Sequence, residues 1–409
     1  MTHKLWTKNF TIITLGTVVS MLGNAIAGFA LAVLVLELTD SSFAFALYLI
    51  LNNLPRLLVP MIAGTFLDKF SRVKVVYTLD FLSALVYVFI FFGLKLDFLT
   101  YGSFLVLAVI IGLMDSIYSV AYDSLYPNLI SKGNFSKAYS ISSMIYPLAA
   151  FMTPVAAFAH KTIGLEALFI FNAAAFFVAA IFETFLNVDE THLQTAVKIS
   201  KFKDFKKEYK SGLKYMYMEK GIFTVAVFFF FNNLFQTSAT QTLEMPFFKN
   251  NALLGYTLFT FVSSANVLGR FIGGFIHYKH SFKAEHKFNI AMIVYIIICF
   301  TNGFMLFMPF ALMLVLSFIT GILSVTSFNI RISSTQAYVP NEMRGRFNGT
   351  FQMMSTMGVI LGQLIWGMLG ESFDARYLIL IGNGITLALT FLVIYRNRES
   401  VKPIYNSAI

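Results

Sequence analysis

Polar and charged positions along this chain fall in short clusters separated by long apolar runs. Residues 9–36, 138–159, 221–243, 347–370 and 377–395 contain no Asp, Glu, Lys or Arg, and the runs 41–67, 75–94, 98–131, 167–188 and 250–276 hold one or two each. A helix of about 20 apolar residues crosses a bilayer, so each run predicts a span. Residues 288–330 are charge-free but too long for one crossing, and "TNGFMLFMPFA", with Asn302, Gly303 and Pro309, predicts the break that divides them. The pattern predicts twelve transmembrane helices. Lys4 and Lys8 precede a first span too long for a signal-peptide core, so that span is expected to be retained.

Composition agrees with the pattern. Of 409 residues, 57% are hydrophobic and 12% charged, about half the charged fraction of a soluble domain, and mean hydropathy is +0.73. The net charge of +10 raises nucleic acid as a partner, but the placement of the basic residues answers that. With the N-terminus inside, 23 of the 30 Lys and Arg fall in cytoplasmic segments, 4 in outer loops and 3 within spans. That is the usual topological bias of membrane proteins, and nucleic acid is excluded as a partner. The single cysteine, Cys299, permits no disulfide framework.

Between the sixth and seventh spans lies the one long polar connector, "VKISKFKDFKKEYKSGLKYMYMEK". Its Ile199, Phe202, Phe205, Tyr209 and Leu213 recur at helical spacing, predicting an amphipathic helix. Lysines on the other face would meet anionic lipid, as a passive surface linker or as the seat of a regulatory partner. The expected organisation is a six-helix bundle at 1–188, a basic linker at 189–220, a second bundle at 221–396 and a cytoplasmic tail at 397–409. An internal echo supports two repeats: "LYPNLISKGNF" (125–135) follows helix 4 and "YVPNEMRGRF" (338–347) follows helix 10. Paired six-helix repeats are a transporter architecture, with a binding site near mid-membrane.

"GTFLDKFSRVK" after helix 2 resembles the loop signature of the major facilitator superfamily through Gly64, Asp68, Lys69, Arg72 and Lys74, with Ser71 where a glycine is usual. "NFTIITLGTVVSMLGNAIAGFALAVLVLELTDSS", "LPRLLVPMIAG" and "VPNEMRGRFNG" further resemble the macrolide-efflux and siderophore-exporter branch. The resemblance implies an all-α membrane fold of twelve helices in two pseudo-symmetric bundles. It also implies that Asp68 caps helix 11 beside Arg344 and Arg346, and that Arg72 reaches Asp123 on helix 4. These contacts would latch one end of the molecule; the alternative is a solvated turn obeying the charge bias. Where the branch commonly has an Asp after Gly in helix 1, this chain has Asn24, and Ser83 replaces an Arg one turn after the helix-3 acid.

Ionisable residues inside spans default to functional candidates. Asp115 and Arg56 lie midway along helices 4 and 2, Asp80 just over a turn into helix 3, and Arg331 about two turns from the end of helix 10. By resemblance, helices 1, 4, 7 and 10 line the cavity, so Asp115 and Arg331 would face substrate. Asp115 is either the proton-titrating group or half of a static ion pair. Glu183 is expected to reach interfacial water, and Arg270 to be a structural partner or to snorkel. In helix 7, Asn232, Asn233 and Gln236 interrupt an aromatic wall and would suit an amphipathic ligand.

The expectation is a monomeric secondary transporter of a bacterial cytoplasmic membrane, termini inside, exporting an amphipathic small molecule such as a drug, macrolide or siderophore by alternating access. Proton antiport would drive it, with no cofactor and no metal; a uniporter or symporter for a metabolite or lipid-like substrate is the alternative. A membrane enzyme would need clustered catalytic groups, and the six histidines (3, 160, 192, 277, 280 and 286) form no such cluster in sequence.

Overall fold

The computed structural model describes residues 4–59, 70–131, 134, 138, 141, 142, 145, 149, 151–188, 190, 202–251, 255–279 and 282–407. Fifteen helices are defined there: α1 (Lys8–Thr39), α2 (Ser42–Leu58), α3 (Arg72–Lys95), α4 (Tyr101–Leu125), α5 (Met152–Ile163), α6 (Leu165–Thr184), α7 (Phe202–Met218), α8 (Lys220–Asn232), α9 (Ser238–Asn250), α10 (Gly255–Lys279), α11 (Lys287–Met305), α12 (Phe310–Tyr338), α13 (Asn341–Gly370), α14 (Ala375–Leu389) and α15 (Arg398–Tyr405). Among the described residues there is no strand, and ten helical segments are long and apolar enough to cross a membrane, with α2 a shorter apolar helix of 17 residues. The protein is an all-α, multi-pass membrane protein. The predicted break in 288–330 is present: α11 ends at Met305, and Pro309 sits at the N-cap of α12. Apolar side chains such as Leu85, Phe158, Phe171 and Ile293 stand more than half exposed, as lipid-facing positions must.

The chain divides into two compact units, Met1–Asp40 with Leu51–Ser200, and Ser41–Ile50 with Lys201–Ile409. In the first, α6 packs against both α1 and α3, and α2 lies on α4. In the second, α10 packs on α12, α11 on α14, and α8 and α9 on α13. Gly358 and Gly362 let α13 approach the carbonyls of Phe230 and Leu234, the close approach that small residues permit. The segment Arg398–Tyr405, expected as tail, is a short helix whose Val401, Ile404 and Tyr405 are buried in the second unit's core.

The two units repeat one contact atom for atom. Asn52 on α2 donates to the Ala108 carbonyl on α4 at 3.5 Å, and Gly112, one turn on, lies against the Asn52 carbonyl. Asn266 on α10 donates to the Ser317 carbonyl on α12 at 3.1 Å, and Gly321, again one turn on, lies against the Asn266 carbonyl. Four residues beyond each Asn stands an arginine, Arg56 or Arg270, and three beyond each Gly stands Asp115 or Ser324. The helix pair is the same device twice, which the amide and the missing Cβ make possible by letting backbones touch.

The helix that begins at Lys220 passes through a π-turn, Asn233–Thr237, before continuing as α9. Wider turns of this kind cluster at functional sites. The Leu234 carbonyl there accepts from Ser238 Oγ at 2.6 Å and from the indole of Trp366 on α13 at 3.0 Å, so the altered backbone is satisfied.

Candidate functional site: a buried carboxyl pair

The first unit gathers its polar groups at one place. Asp80 on α3 is 1% exposed and Glu183 on α6 is 0% exposed, and the two side chains are neighbours. No cation pairs with either carboxyl group among the described residues, and burying an uncompensated charge is costly. The sequence places Glu183 within reach of interfacial water; the structure corrects that, because α1, α3 and α6 close over it and leave Glu183 Oε2 and Asp80 Oδ2 without partners.

Hydroxyl groups surround the pair. Tyr118 on α4 donates to Glu183 Oε1 at 3.3 Å, and one turn on Thr17 of α1 donates to the hydroxyl oxygen of Tyr122 at 3.2 Å. Tyr118, Tyr122 and Tyr126 stack in sequence, ring centroids 5.9 and 5.3 Å apart. The sequence analysis misses this ladder, although tyrosines at four-residue intervals on an apolar helix are a readable signal.

A cavity of about 40 Å³ opens beside the pair, lined among others by Ser20, Asn24, Asp80, Ser83, Asp115 and Tyr118. At roughly 10–15 Å³ per water it holds two or three waters, whereas a drug-sized ligand needs some 300 Å³ or more. The structure thus brings Asn24, Asp80 and Asp115 together, around water-sized space. Asp115 is ion-paired with Arg56 of α2, and both side chains are more than a third exposed. Its charge already has a partner; that of the Asp80–Glu183 pair does not.

The remaining candidates are elsewhere. Gly64, Asp68 and Lys69 lie outside the described residues. Arg72 opens α3: its backbone N–H and that of Val73 donate to Glu190 at 2.6 and 3.4 Å, and its guanidinium donates to the Ser124 carbonyl at 3.1 Å, next to exposed Asp123. Ser71, in place of the usual glycine, is the N-cap, accepting from the N–H of Lys74 at 3.1 Å; the Lys74 side chain is exposed. An acid does meet a positive helix end here, and it is Glu190. Arg344 donates to the Val339 carbonyl at 3.1 Å and Arg346 to Ser211 Oγ at 3.4 Å, tying α13 to its own loop and to α7.

In the second unit Gln236 is buried and donates to Asn383 Oδ1 at 2.6 Å, while Asn383 donates to the Ile379 carbonyl at 2.8 Å. Gln236 is thus committed to a neighbour. Asn232 and Asn233 are half-buried and have no side-chain hydrogen bond among the described residues. Arg331 is enclosed by aromatic rings and has no ion pair among the described residues.

Comparison with known proteins agrees with this architecture. The family model described as Major Facilitator Superfamily matches residues 13–362 and again 287–407. The uncharacterized MFS-type transporter YkuC of Bacillus subtilis (strain 168) is 22% identical over 407 residues, covering 94% of this chain and 91% of YkuC. Among solved structures, the nucleoside transporter NupG aligns with a TM-score of 0.69 at 16% identity, covering 95% of this chain and 99% of its own. A bacterial homologue of the iron transporter ferroportin in an inward-facing state aligns at 0.68 and 16%, covering 94% and 98%. At these identities the structures share the fold alone. With a family model spanning nearly its whole length, a matching all-helical bundle and a charge-bearing site inside the spans, this chain belongs to the major facilitator superfamily and is a membrane transporter, not an enzyme.

Proposed function

We propose that this transporter exports an amphipathic small molecule by proton antiport, and that the proton rides on the Asp80–Glu183 pair. The observation that carries the reading is a carboxyl pair 1% and 0% exposed, without a cation, beside a water-sized polar cavity. That arrangement suits a proton and excludes a drug-sized ligand from the same space. Asp115 acts in this reading through its bond to Arg56: Asp80 lies within its electrostatic reach, so any opening of the ion pair is felt at the proton site. Tyr118 and the stacked tyrosines beyond it offer hydroxyls as a route for the proton. The efflux direction and the macrolide or siderophore class rest on the resemblance of the first helix and the helix-2 loop. Cytoplasmic termini and a bacterial plasma membrane rest on the lysine and arginine bias, a monomer on the two-bundle organisation, and anionic lipid at the linker on its lysines.

The test uses inside-out vesicles acidified by respiration, with a pH-reporting dye and three amphiphiles: erythromycin, ethidium and 8-anilino-1-naphthalenesulfonate. At least one of them should discharge the gradient in vesicles with the wild-type protein and none in vesicles with Glu183→Gln. Equal discharge by Glu183→Gln removes the pair from the mechanism, and accumulation of a compound without any gradient points to uniport instead.

A further inference from the structure

Arg331 stands seven residues before the end of α12, about 10 Å along its axis. Its guanidinium carbon is 4.6 Å from the ring centroid of Phe351, 5.0 Å from Phe229 and 5.4 Å from Phe328. Phe229 is nine residues into α8 and Phe351 ten into α13, roughly 14 and 15 Å from the starts of those helices. The charge is therefore held at depth among rings from three helices. Ring faces attract the cation but accept none of the five N–H donors in the way an oxygen does. No carboxylate pairs with it among the described residues, and its nitrogens are not sealed off. The hydroxyls of Tyr295 and Tyr405 bond to each other at 2.8 Å.

The repeated helix pair sharpens the point. Arg56 in the first unit has Asp115; Arg270, its counterpart, meets a repeat in which Ser324 replaces the acid, and it forms no ion pair among the described residues. The spans of the first unit thus hold the buried carboxyl groups of Asp80 and Glu183, and those of the second hold, besides Glu244, two arginines lacking acidic partners among the described residues. A desolvated cation with no counter-ion is costly inside a membrane, and a ligand that brings the counter-ion relieves that cost.

We propose that Arg331 is the anchor of a substrate site in the second unit, and that the substrate is an amphipathic organic anion. A carboxylate, sulfonate or phosphate would accept from the edge of the guanidinium, while Phe328, half exposed, meets the apolar body. The proposal deepens the transport reading and rests on it, but its test does not use the proton site.

Two probes share one aromatic body and differ by the anion: 8-anilino-1-naphthalenesulfonate and uncharged N-phenyl-1-naphthylamine. Each is titrated by fluorescence into the full chain in nanodiscs of phosphatidylcholine, with empty nanodiscs subtracted. The sulfonate should bind saturably to the wild type and at least tenfold more weakly to Arg331→Gln. Arg331→Lys, which keeps the charge but not the fork, should fall between. The uncharged probe should not distinguish the three. Equal sulfonate affinity in Arg331→Gln, or parallel loss of both probes, overturns the proposal. Retention of Cys299 protection to the wild-type temperature shows that each variant is folded. A second arm adds phosphatidylglycerol: an unchanged sulfonate titration supports a soluble anion, whereas displacement assigns the site to a lipid phosphodiester and overturns the substrate role. Because Glu183→Gln is read by gradient discharge and Arg331→Gln by binding, either reading can fail without the other.

Discussion

The repeated helix pair makes a prediction in which one substitution has opposite signs at two glycines. At Gly321 a Cβ would sit 2.1 Å from the Asn266 carbonyl oxygen and 2.9 Å from the Arg270 nitrogen, both backbone atoms. Ordinary contact begins near 3.4 Å, so α12 would have to retreat from α10 by about 1.3 Å. That retreat strains the bonds from Asn266 to the Ser317 carbonyl and from Ser317 to the Val262 carbonyl, 3.1 and 2.8 Å long, each worth about 1 kcal/mol. Overpacking adds about 2 kcal/mol, and the helix gains about 1 kcal/mol from alanine in place of glycine. The net loss for Gly321→Ala is about 3 kcal/mol. At Gly384 a Cβ meets nothing within 4 Å, so Gly384→Ala should keep only the gain of about 1 kcal/mol. Cys299 provides the assay: it is the sole cysteine, 5% exposed on α11 of the same unit, and silent to a maleimide dye until the unit opens. In detergent, Gly321→Ala should release the thiol at a clearly lower temperature than wild type, and Gly384→Ala at the same temperature or higher. If Gly321→Ala opens no earlier than wild type, the backbone contact, and the repeat built on it, is wrong.

Two further outcomes follow from the second unit. Gln236→Leu should destabilise by about 1–3 kcal/mol by stranding buried Asn383 Oδ1, and Asn383→Leu added to it should recover part of that loss, read by thermal loss of helical circular dichroism because Gln236 touches Cys299. Asp374 caps α14 through the Arg376 N–H at 2.8 Å, and hydrogen bonds from the Arg376 side chain hold its carboxyl below the usual carboxylate range. A depressed folded value contributes stability above the unfolded value, near 3.9, and loses it as pH falls through the folded one; Asp374→Asn should keep the cap and flatten the thiol-release profile below about pH 5, while Asp374→Ala should also lose about 1 kcal/mol at neutral pH.

Much of the fold was legible because lipid imposes long apolar runs, and runs survive substitution of one side chain for another. The break at Pro309 and the helix in the basic connector were readable for the same reason: each is local chemistry. The repeat itself was legible only in part. The echo after helices 4 and 10 marks where the chain turns in each unit, at the 3₁₀ turn containing Pro127 and at Pro340. The stronger echo, Asn52 with Arg56 and Asn266 with Arg270, is silent in the sequence because its meaning lies in backbone contacts with a partner helix.

The site divides along the same line. Intramembrane charge singles out Asp80, Asp115, Arg56 and Arg331 one at a time, since each is an anomaly in its own run. Pairing is another matter: Arg56 finding Asp115, and Asp80 finding Glu183 across 103 positions, is fixed by which helices touch. A carboxyl one residue before the end of α6 reads as interfacial when α6 is taken alone, and becomes buried only once α1 and α3 cover it. The asymmetry between the units follows from the same comparison. A helix pair repeated with Arg56 and Asp115 in one unit and with Arg270 and Ser324 in the other leaves the first cation paired and the second without an acid beside it among the described residues. Placing an acid two turns from Arg331 on α12 by Ser324→Asp should then weaken sulfonate binding while binding of the uncharged probe stays unchanged, whereas parallel loss of both probes would show that the substitution acts on the fold and not on the anion site.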